Sequence, residues 1–389
     1  MLFALVVYSF FALINGEWIS STNYFSYLAD AFLHGQLHLR IIPSNVYDLN
    51  FFEGQYYLYW PPVPAFLLMP LVTLFGVNVS DVVITLLFAS ASVGLMTLLL
   101  RYADEEGIIS VSSLQRGLLS LFFAFGTVHI TIASVGKVWF LSQNVAIFFL
   151  LLTYIAAIRL RGWKAFLITG LLITCAAMTR NHLFVAGLWP AYHLLAKHVE
   201  LEWKARLRLA ILGLSPLFIF GSIYLVYNWS RFGHPLDLGS AYQNMNVIFV
   251  DPYFKYGTFS IRYLPTNFYY NYINYPFPWS EGSLFGGSLF LLSPVFFAAF
   301  QGFYANRQKW SERMLLITIL LVNIPILLNI GTGWIQFGPR YTLDFVVPLM
   351  LLTAIGIRHW PRQLLVGLTI LSILHYVNGT AILIFGDIY

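Results

Sequence analysis

The side chains best suited to acid–base or phosphate chemistry are a few carboxylates and arginines that lie between long apolar runs. Three carboxylates, Glu17, Asp30 and Asp48, fall in the first polar stretch of the chain. A positioned carboxylate can take the proton from an attacking hydroxyl group. Each also has an ordinary structural interpretation, as a charge beside a helix end, a solvated interfacial charge or a cap. The residues alone leave both interpretations open.

The candidate cations are two arginines in unusual places. Arg340 lies between a glycine-rich turn and an apolar helix, and Arg180 interrupts a long apolar stretch. Arginine binds phosphate with two parallel hydrogen bonds and keeps its charge. Arg340 can equally snorkel to lipid headgroups, and Arg180 needs a partner or ligand if it is buried. Lys137 and Arg231 are further candidates, and Lys137 can simply anchor a helix end.

The composition indicates whether this chain is surrounded by water or by lipid. Of its 389 residues 59% are hydrophobic and 10% are charged, against roughly 45–50% and 25% in soluble domains. The mean hydropathy is +0.74. These values exclude a soluble globular enzyme, a disordered protein and a nucleic-acid binder. The net charge of +5 is explained by basic loops, and the single cysteine, Cys175, allows no disulfide within the chain.

Apolar runs long enough to cross a bilayer recur along the whole sequence. They predict an all-α polytopic membrane protein with about eleven transmembrane helices in a single domain, residues 1–389. The predicted spans are 1–16, 80–100, 117–134, 140–158, 165–179, 183–196, 209–228, 284–304, 314–330, 342–357 and 364–386.

The basic residues predict the orientation of these helices. With the N-terminus inside and alternating spans, 14 of the 21 Lys and Arg residues fall in inner loops, as the positive-inside rule expects. The two long polar-containing segments, 16–80 and 229–283, then both lie outside. We therefore expect an integral protein of the plasma (inner) membrane whose active face is extracytoplasmic.

The first outer segment carries two amphipathic stretches that predict interfacial helices. Residues 24–34 place Tyr24, Leu28 and other apolar side chains at helical spacing and run into Gly35, a common helix stop. A second apolar run begins after Pro61 and Pro62, contains Pro70 and reaches Gly76. It is too short and too rich in proline for a confident span.

The order of these motifs resembles the GT-C superfamily of glycosyltransferases, with the protein O-mannosyltransferase-like and aminoarabinose-transferase-like enzymes (the bacterial family 39 type) as the nearest branches. One membrane helix is followed by an interfacial helix and then by short motifs in a shared order over nearly the whole chain. These motifs are Gly-Gln-Tyr-Tyr (54–57), Tyr-Trp-Pro-Pro (59–62), Ala-Met-Thr-Arg (177–180), the 227–235 segment with Arg231, and Phe-Gly-Pro-Arg-Tyr (337–341) followed by Asp344 and Pro348.

The resemblance implies transfer of a sugar from a polyprenyl-phosphate carrier to an acceptor at the outer face. Members of the family place a catalytic acid just after the first helix, where this chain has Ser20 and Ser21. The nearest carboxylates that can replace it are Asp30, Asp48 and Glu17. The departing phosphate gains negative charge, which calls for cations, and the candidates are Arg340, Arg180, Lys137 and Arg231.

Aromatic residues are the candidates for binding the sugar or the acceptor. Tyr56, Tyr57, Trp60 and Tyr341 lie within the motifs of the resemblance, and the 229–283 segment is rich in further rings. Such rings stack on sugar faces, and they also form ordinary interfacial belts.

No organic cofactor is predicted, and the metal question is left open. Asp30, His34 and His38 are spaced to align on one helix face, but Gly35 is expected to end the helix before His38. A divalent metal therefore remains possible, with no ligand assigned. The expected partners are a polyprenyl-phosphate-linked sugar and membrane lipid, without nucleic acid; the acceptor is undefined.

Two other functions fit the same sequence. The serines at positions 20 and 21 favour a GT-C scaffold without catalysis, which binds a lipid-linked sugar or a partner protein. A transporter of lipid or small solutes would instead line a path through both leaflets with ionisable residues, and the predicted spans contain few of these.

Overall fold

The computed structural model describes residues 1–333 and 335–386. This part of the chain contains seventeen α-helices and one two-stranded sheet, β1 (Asn50–Phe52) with β2 (Gln55–Tyr57). The helices are α1 (Leu2–Asn15), α2 (Tyr24–Leu33), α3 (Val63–Phe75), α4 (Asp81–Glu105), α5 (Ser113–Phe125), α6 (His129–Ala133), α7 (Val138–Arg159), α8 (Gly162–Ala177), α9 (Leu188–Ala196), α10 (Trp203–Phe232), α11 (Val247–Tyr256), α12 (Leu264–Phe268), α13 (Leu289–Leu292), α14 (Phe297–Ala305), α15 (Trp310–Leu328), α16 (Val346–Gly356) and α17 (Arg362–Phe385).

The predicted fold class, an all-α polytopic membrane protein, is confirmed. Within the described ranges five helices, α4, α7, α10, α15 and α17, are long and apolar enough to cross a membrane. The other predicted spans contain shorter or broken helices. The 284–304 run, for example, divides at Pro294, because proline has no N–H to donate and its ring obstructs the preceding turn. The predicted spans therefore consist of helices of unequal length, some of them broken.

The long helices differ in how much of their surface faces the surroundings. Helix α7 is mostly buried between its neighbours, whereas most of α10 is exposed. Phe218 and Ile219 of α10 are among many large apolar side chains on the outside. An apolar exterior of this extent is stable only in lipid.

Both predicted interfacial helices are present. Helix α2 ends just before Gly35, whose φ of +69° suits glycine, and α3 begins after Pro62. The two helices pack against each other, with the Phe32 and Phe66 rings 4.9 Å apart. They give the 16–80 segment an apolar core of its own, which includes Tyr24, Leu28 and Leu68.

The sheet joins the two long polar-containing segments. Asn50 of β1 pairs with Tyr57 of β2 and also bridges to Gln243. The Asn244 N–H donates to the Leu49 carbonyl at 2.8 Å, and its own carbonyl accepts from the Asp48 N–H at 2.9 Å. Residues 238–246, the covering segment, contain a 3₁₀ turn at Ser240–Tyr242 and then pair with the chain at Leu49 and Asn50, which fixes the backbone at Asp48.

Charged residues of the predicted inner loops meet at the other end of the bundle. Arg159 of α7 lies 3.2 Å from Glu105 of α4, and Lys197 lies 3.8 Å from Glu106. Arg161 reaches Glu106 at 3.4 Å. These ion pairs join loops that are predicted to lie on the same side of the membrane, because successive spans alternate in direction.

Candidate functional site

Asp48 lies in the first polar segment, where its backbone and its carboxylate are both fixed by the surrounding chain. Its φ is +62°, a backbone conformation that most non-glycine residues avoid. Its Oδ2 accepts from Trp139 Nε1 at 3.1 Å, and its Oδ1 accepts from Gln243 Nε2 at 3.0 Å. Trp139 lies in the first turn of α7 and Gln243 in the covering segment. Two distant parts of the chain therefore hold this carboxylate.

The pKa of Asp48 reflects opposing influences. Burial raises it above the ordinary aspartate value, while the hydrogen bonds from Gln243 and Trp139 and the charge of Arg340 lower it. Burial has the largest effect, because a charged carboxylate loses hydration that two donors replace only partly. A carboxylate of raised pKa is a better proton acceptor than an ordinary aspartate, since a base gains strength with its pKa.

Arg340 begins a 3₁₀ turn that leads into α16, and it is 6% exposed. Its Nε has no hydrogen-bond partner in the part of the chain that the structure describes, and its Nη2 lies 3.4 Å from the Tyr341 hydroxyl. Gln143 of α7 donates to its carbonyl at 3.1 Å and fixes the turn. A buried guanidinium with an unused donor is costly unless an anion completes it.

Gly333 packs closely against Arg340. A Cβ added there would lie 2.8 Å from Arg340 Nε and 2.6 Å from Gln336 Oε1, two buried polar atoms that are both unpartnered within the described residues. Gly333 has a φ of +105°. Any other side chain at this position would therefore be strained and would clash with the Arg340 side chain.

Arg180 also lies close to the Tyr341 ring. The Arg340 guanidinium is 4.9 Å and the Arg180 guanidinium 5.5 Å from the centre of the Tyr341 ring. Unlike Arg340, Arg180 is paired, because its Nε and Nη2 donate to Asp344 Oδ2 at 3.2 and 2.8 Å. His182 Nε2 lies 2.9 Å from the same oxygen. The predicted cations Arg340 and Arg180 thus converge, although one of them already has a carboxylate.

Tyr59 is influenced by the charges of Asp48 and of the two arginines. Burial raises the pKa of its phenol well above the usual value, Asp48 raises it further, and Arg340 and Arg180 lower it. The Tyr59 hydroxyl group therefore lies within the electrostatic reach of Asp48 and of both cations. We define Asp48, Tyr59, Arg180, Arg340 and Tyr341 as the candidate site.

The other two candidate acids lie outside this group. Asp30 of α2 forms a two-point ion pair with Arg40, Nε–Oδ2 at 2.9 Å and Nη2–Oδ1 at 3.0 Å. Glu17 accepts from the backbone N–H of Ser21 at 3.0 Å. Both carboxylates therefore have local structural partners.

Ser20, which stands where the resemblance predicts a catalytic acid, is hydrogen-bonded to the carboxylate of Asp81. Ser20 donates its N–H to Asp81 Oδ1 at 2.9 Å, and its hydroxyl group donates to Asp81 Oδ2. Asp81 is the first residue of α4 and is buried. A carboxylate from α4 therefore lies in hydrogen-bonding contact with the serine that replaces the expected acid.

Of the remaining predicted cations, Arg231 has a structural position. It is 3% exposed, donates from Nη1 to the Leu58 carbonyl at 2.8 Å and from Nη2 to Asn228 at 2.6 Å. It thereby holds the strand that leads to Tyr59. Lys137 precedes α7 at two residues from Trp139; burial lowers the pKa of its ammonium group and the charge of Glu17 raises it.

The predicted aromatic residues are divided between the site and the hairpin. Tyr341 belongs to the site, and Trp60 stacks on Tyr59 with ring centres 3.7 Å apart. Tyr57 donates to Gln55 Oε1 at 2.9 Å and packs against Phe232. Tyr56 lines a polar cavity on the far side of the hairpin.

An apolar groove lies between helices α3, α4 and α7. It has a volume of about 150 Å³ and is lined by side chains of α3, α4 and α7, including Pro64, Phe88 and Leu141. Leu141 follows Trp139 by two residues on α7. The groove suits an apolar chain. No group of three His, Cys, Asp or Glu residues close enough to hold a metal ion occurs between residues 1 and 386, with Trp334 set aside.

The sequence reasoning missed several members of this arrangement. Trp139 and Gln243 are 91 and 195 residues from Asp48, so no local pattern pairs them. Tyr59 entered the sequence analysis only as the first residue of the Tyr-Trp-Pro-Pro motif, without a role in the site. Its place in that motif was the available signal.

Comparison with solved structures identifies the fold. The chain is similar to the crystal structure of ArnT from Cupriavidus metallidurans bound to undecaprenyl phosphate, with a TM-score of 0.56 and 13% identity over 92% of this chain. It spans 59% of the length of that protein. Two structures of the oligosaccharyltransferase from Archaeoglobus fulgidus also match, at 13–14% identity, 99% of this chain, 55–56% of theirs and a TM-score of 0.45.

The similarity to ArnT shows that the chain has the GT-C fold, an architecture of polytopic membrane proteins. No family model and no curated protein matches its sequence. Identities this low define the fold alone, so the activity has to be argued from the site.

Proposed function

We propose that this protein is a membrane glycosyltransferase that moves a sugar from a polyprenyl-phosphate donor to an acceptor hydroxyl group. The observation that carries the proposal is the buried Arg340, whose Nε has no hydrogen-bond partner within the described residues and whose charge acts on Asp48. In this proposal Arg340 binds the donor phosphate, and Arg180, which also lies near the Tyr341 ring, adds positive charge. Asp48 is the general base, in preference to Asp30 and Glu17.

The proposed step conserves atoms and charge. The acceptor oxygen forms a bond to the anomeric carbon of the donor sugar, and its proton passes to Asp48. The bond between that carbon and the phosphate oxygen breaks, and its electron pair leaves with the polyprenyl phosphate. Arg340 stabilises the negative charge that develops on this oxygen, which is the interaction most valuable in the transition state.

The apolar groove supports a lipid-linked donor. It is lined by apolar side chains, mainly Leu, Phe, Pro and Val, and it shares helix α7 with Trp139, which holds Asp48. ArnT was crystallised with undecaprenyl phosphate bound. In this proposal part of the donor's prenyl chain enters the groove. By the positive-inside rule, the 16–80 and 229–283 segments and the site between them face the extracytoplasmic side of the plasma membrane.

The proposal is tested by transfer activity in membranes supplied with a radiolabelled panel of polyprenyl-phosphate sugars. We expect Asp48→Asn and Arg340→Gln each to lower the transfer of label to membrane acceptors by about 10²–10³-fold. Asp30→Asn and Arg362→Gln are the matched controls and should keep most of the activity. Full activity of both Asp48→Asn and Arg340→Gln would remove these residues from the mechanism.

One observation favours a second candidate, a GT-C scaffold that binds lipid-linked sugar without transfer. Ser20 and Ser21 stand where the family acid is expected, and the carboxylate of Asp81 is engaged by Ser20. Binding of undecaprenyl phosphate with no turnover of any labelled donor would support this candidate. Loss of transfer in Asp81→Asn, with Asp48→Asn still active, would instead make Asp81 the base.

A further inference from the structure

A second cavity lies on the far side of the hairpin from Asp48. It has a volume of about 310 Å³ and is lined by polar residues that include Gln36, His38, Arg40, Gln55 and Tyr56. This volume is at the lower end of the range for small-molecule sites, roughly 300–1,000 Å³. None of the five residues of the candidate site lines it, so it is a separate feature.

The cavity carries a charged residue whose charge is already balanced. Arg40 donates from Nε and Nη2 to the two carboxylate oxygens of Asp30, at 2.9 and 3.0 Å. His34 Nδ1 lies 3.6 Å from the same carboxylate. A neutral lining disfavours an anion such as a phosphate, because an anion would compete with Asp30 for the only guanidinium there.

The lining presents unused hydrogen-bonding groups. Gln36 Oε1 is buried and has no partner among residues 1–333 and 335–386, which costs free energy unless a ligand donates to it. Tyr57 donates to Gln55 Oε1 at 2.9 Å, and this fixes the amide so that its NH₂ group remains available. The Tyr56 ring, supported by Phe51 at 4.9 Å, adds an apolar surface.

This combination suits a ligand with many hydroxyl groups and an apolar face. Hydroxyl groups donate to Gln36 Oε1 and accept from amide N–H groups, and the C–H face of a sugar ring packs on an aromatic side chain. The cavity is also tied to the candidate site. Leu39 N–H donates to the Tyr56 carbonyl at 2.8 Å, and Phe51, the strand partner of Tyr56, follows Asp48 by three residues.

From these observations we infer that the cavity binds an uncharged saccharide, at a site separate from the acceptor position beside Asp48. This inference stands on the cavity alone.

The test is saturation-transfer NMR on the full chain in lipid nanodiscs with methyl glucoside, methyl galactoside, methyl mannoside, N-acetylglucosamine and maltose as probes. We expect at least one of these sugars to bind. Gln36→Met keeps the side-chain volume but removes the amide, and His38→Ala removes a second lining group; each should weaken binding at least about fivefold. The matched control is Gln363→Met on the exposed start of α17, which should bind as the wild type does.

Three results would overturn the inference: no neutral sugar binds, binding is unchanged in both Gln36→Met and His38→Ala, or glucose 6-phosphate binds more tightly than methyl glucoside. Undecaprenyl-phosphate binding is measured on the same samples. If the lipid binds through Arg340 and no sugar binds, this inference fails and the proposed function stands. If sugars bind and the lipid does not, the proposed function fails while the cavity remains a saccharide site.

Discussion

At the scale of single residues, the account depends on how one carboxylate and one guanidinium are held. Asp48 receives two hydrogen bonds, from Trp139 and Gln243, and still has a raised pKa because it is buried. Arg340 is buried with an unused donor. A carboxylate of raised pKa suits the role of accepting a proton from a hydroxyl group. A buried arginine with an unpaired N–H donor suits the role of binding an anion.

The raised pKa of Asp48 predicts the acid side of the pH profile. The carboxylate accepts a proton only when it is ionised, so transfer falls as the pH drops through its pKa. Since burial places this pKa above the ordinary aspartate value of roughly 3.9, activity should be lost at a higher pH than an exposed aspartate would give. The measurement is kcat/KM for a labelled donor against pH. An acid limb at or below the ordinary value would contradict the assignment of Asp48.

Gln243 predicts a change in the same profile. Its hydrogen bond lowers the pKa of Asp48, so Gln243→Leu should raise this pKa and move the acid limb to higher pH. A purely structural role would lower activity equally at all pH values. Gln363→Leu, at an exposed position, should leave the profile unchanged. An unshifted limb in Gln243→Leu would show that this side chain does not tune the base.

At the scale of elements, the site depends on contacts between distant segments. The covering segment 238–246 pairs with β1 through Asn50 and Asn244, and α7 supplies Trp139 from its first turn. Local signals predicted much of the framework, such as α2 with its stop at Gly35 and α3 after Pro62. They could not predict that Gln243 reaches Asp48 or that Asp81 reaches Ser20, because tertiary packing alone brings these residues together.

Gly239 tests whether the covering segment supports the site. A Cβ there would lie 2.0 Å from the Asn50 amide nitrogen, whereas a Cβ at Gly257 would meet nothing within 4 Å. Both glycines have φ near +80°, so both alanine variants bear similar backbone strain, about 1 kcal/mol. Gly239→Ala should also displace Asn50, speed limited proteolysis of 238–246 and reduce transfer. Equal behaviour of Gly257→Ala would show that strain alone explains the effect.

At the scale of the whole molecule, the predicted loops separate into two ends. Glu105, Arg159 and Lys197 gather at one end, and the candidate site lies between the two long polar-containing segments. The membrane architecture was predictable because hydropathy and basic residues act along the whole chain. The breaks within spans, such as the one at Pro294, depend on local packing and were not predicted.

Cysteine labelling tests this orientation. In a Cys175→Ser background, Lys255→Cys should react with a membrane-impermeant maleimide in intact cells. Arg362→Cys should react only after permeabilisation, because this position is predicted to face the cytosol. Both positions are exposed, so a difference in labelling reports the side of the membrane. The reverse pattern would place the candidate site on the cytosolic face and contradict a donor taken from the outer leaflet.

The central claim is that Arg340 grips the phosphate of a polyprenyl lipid, and binding of undecaprenyl phosphate tests it most directly. Native mass spectrometry of the full chain, titrated with this lipid, should show one tightly bound molecule in the wild type. Arg340→Gln should weaken binding at least about tenfold, because a charge-assisted hydrogen-bonded contact is lost, while Arg362→Gln should bind normally. Equal binding by wild type and Arg340→Gln would contradict the account.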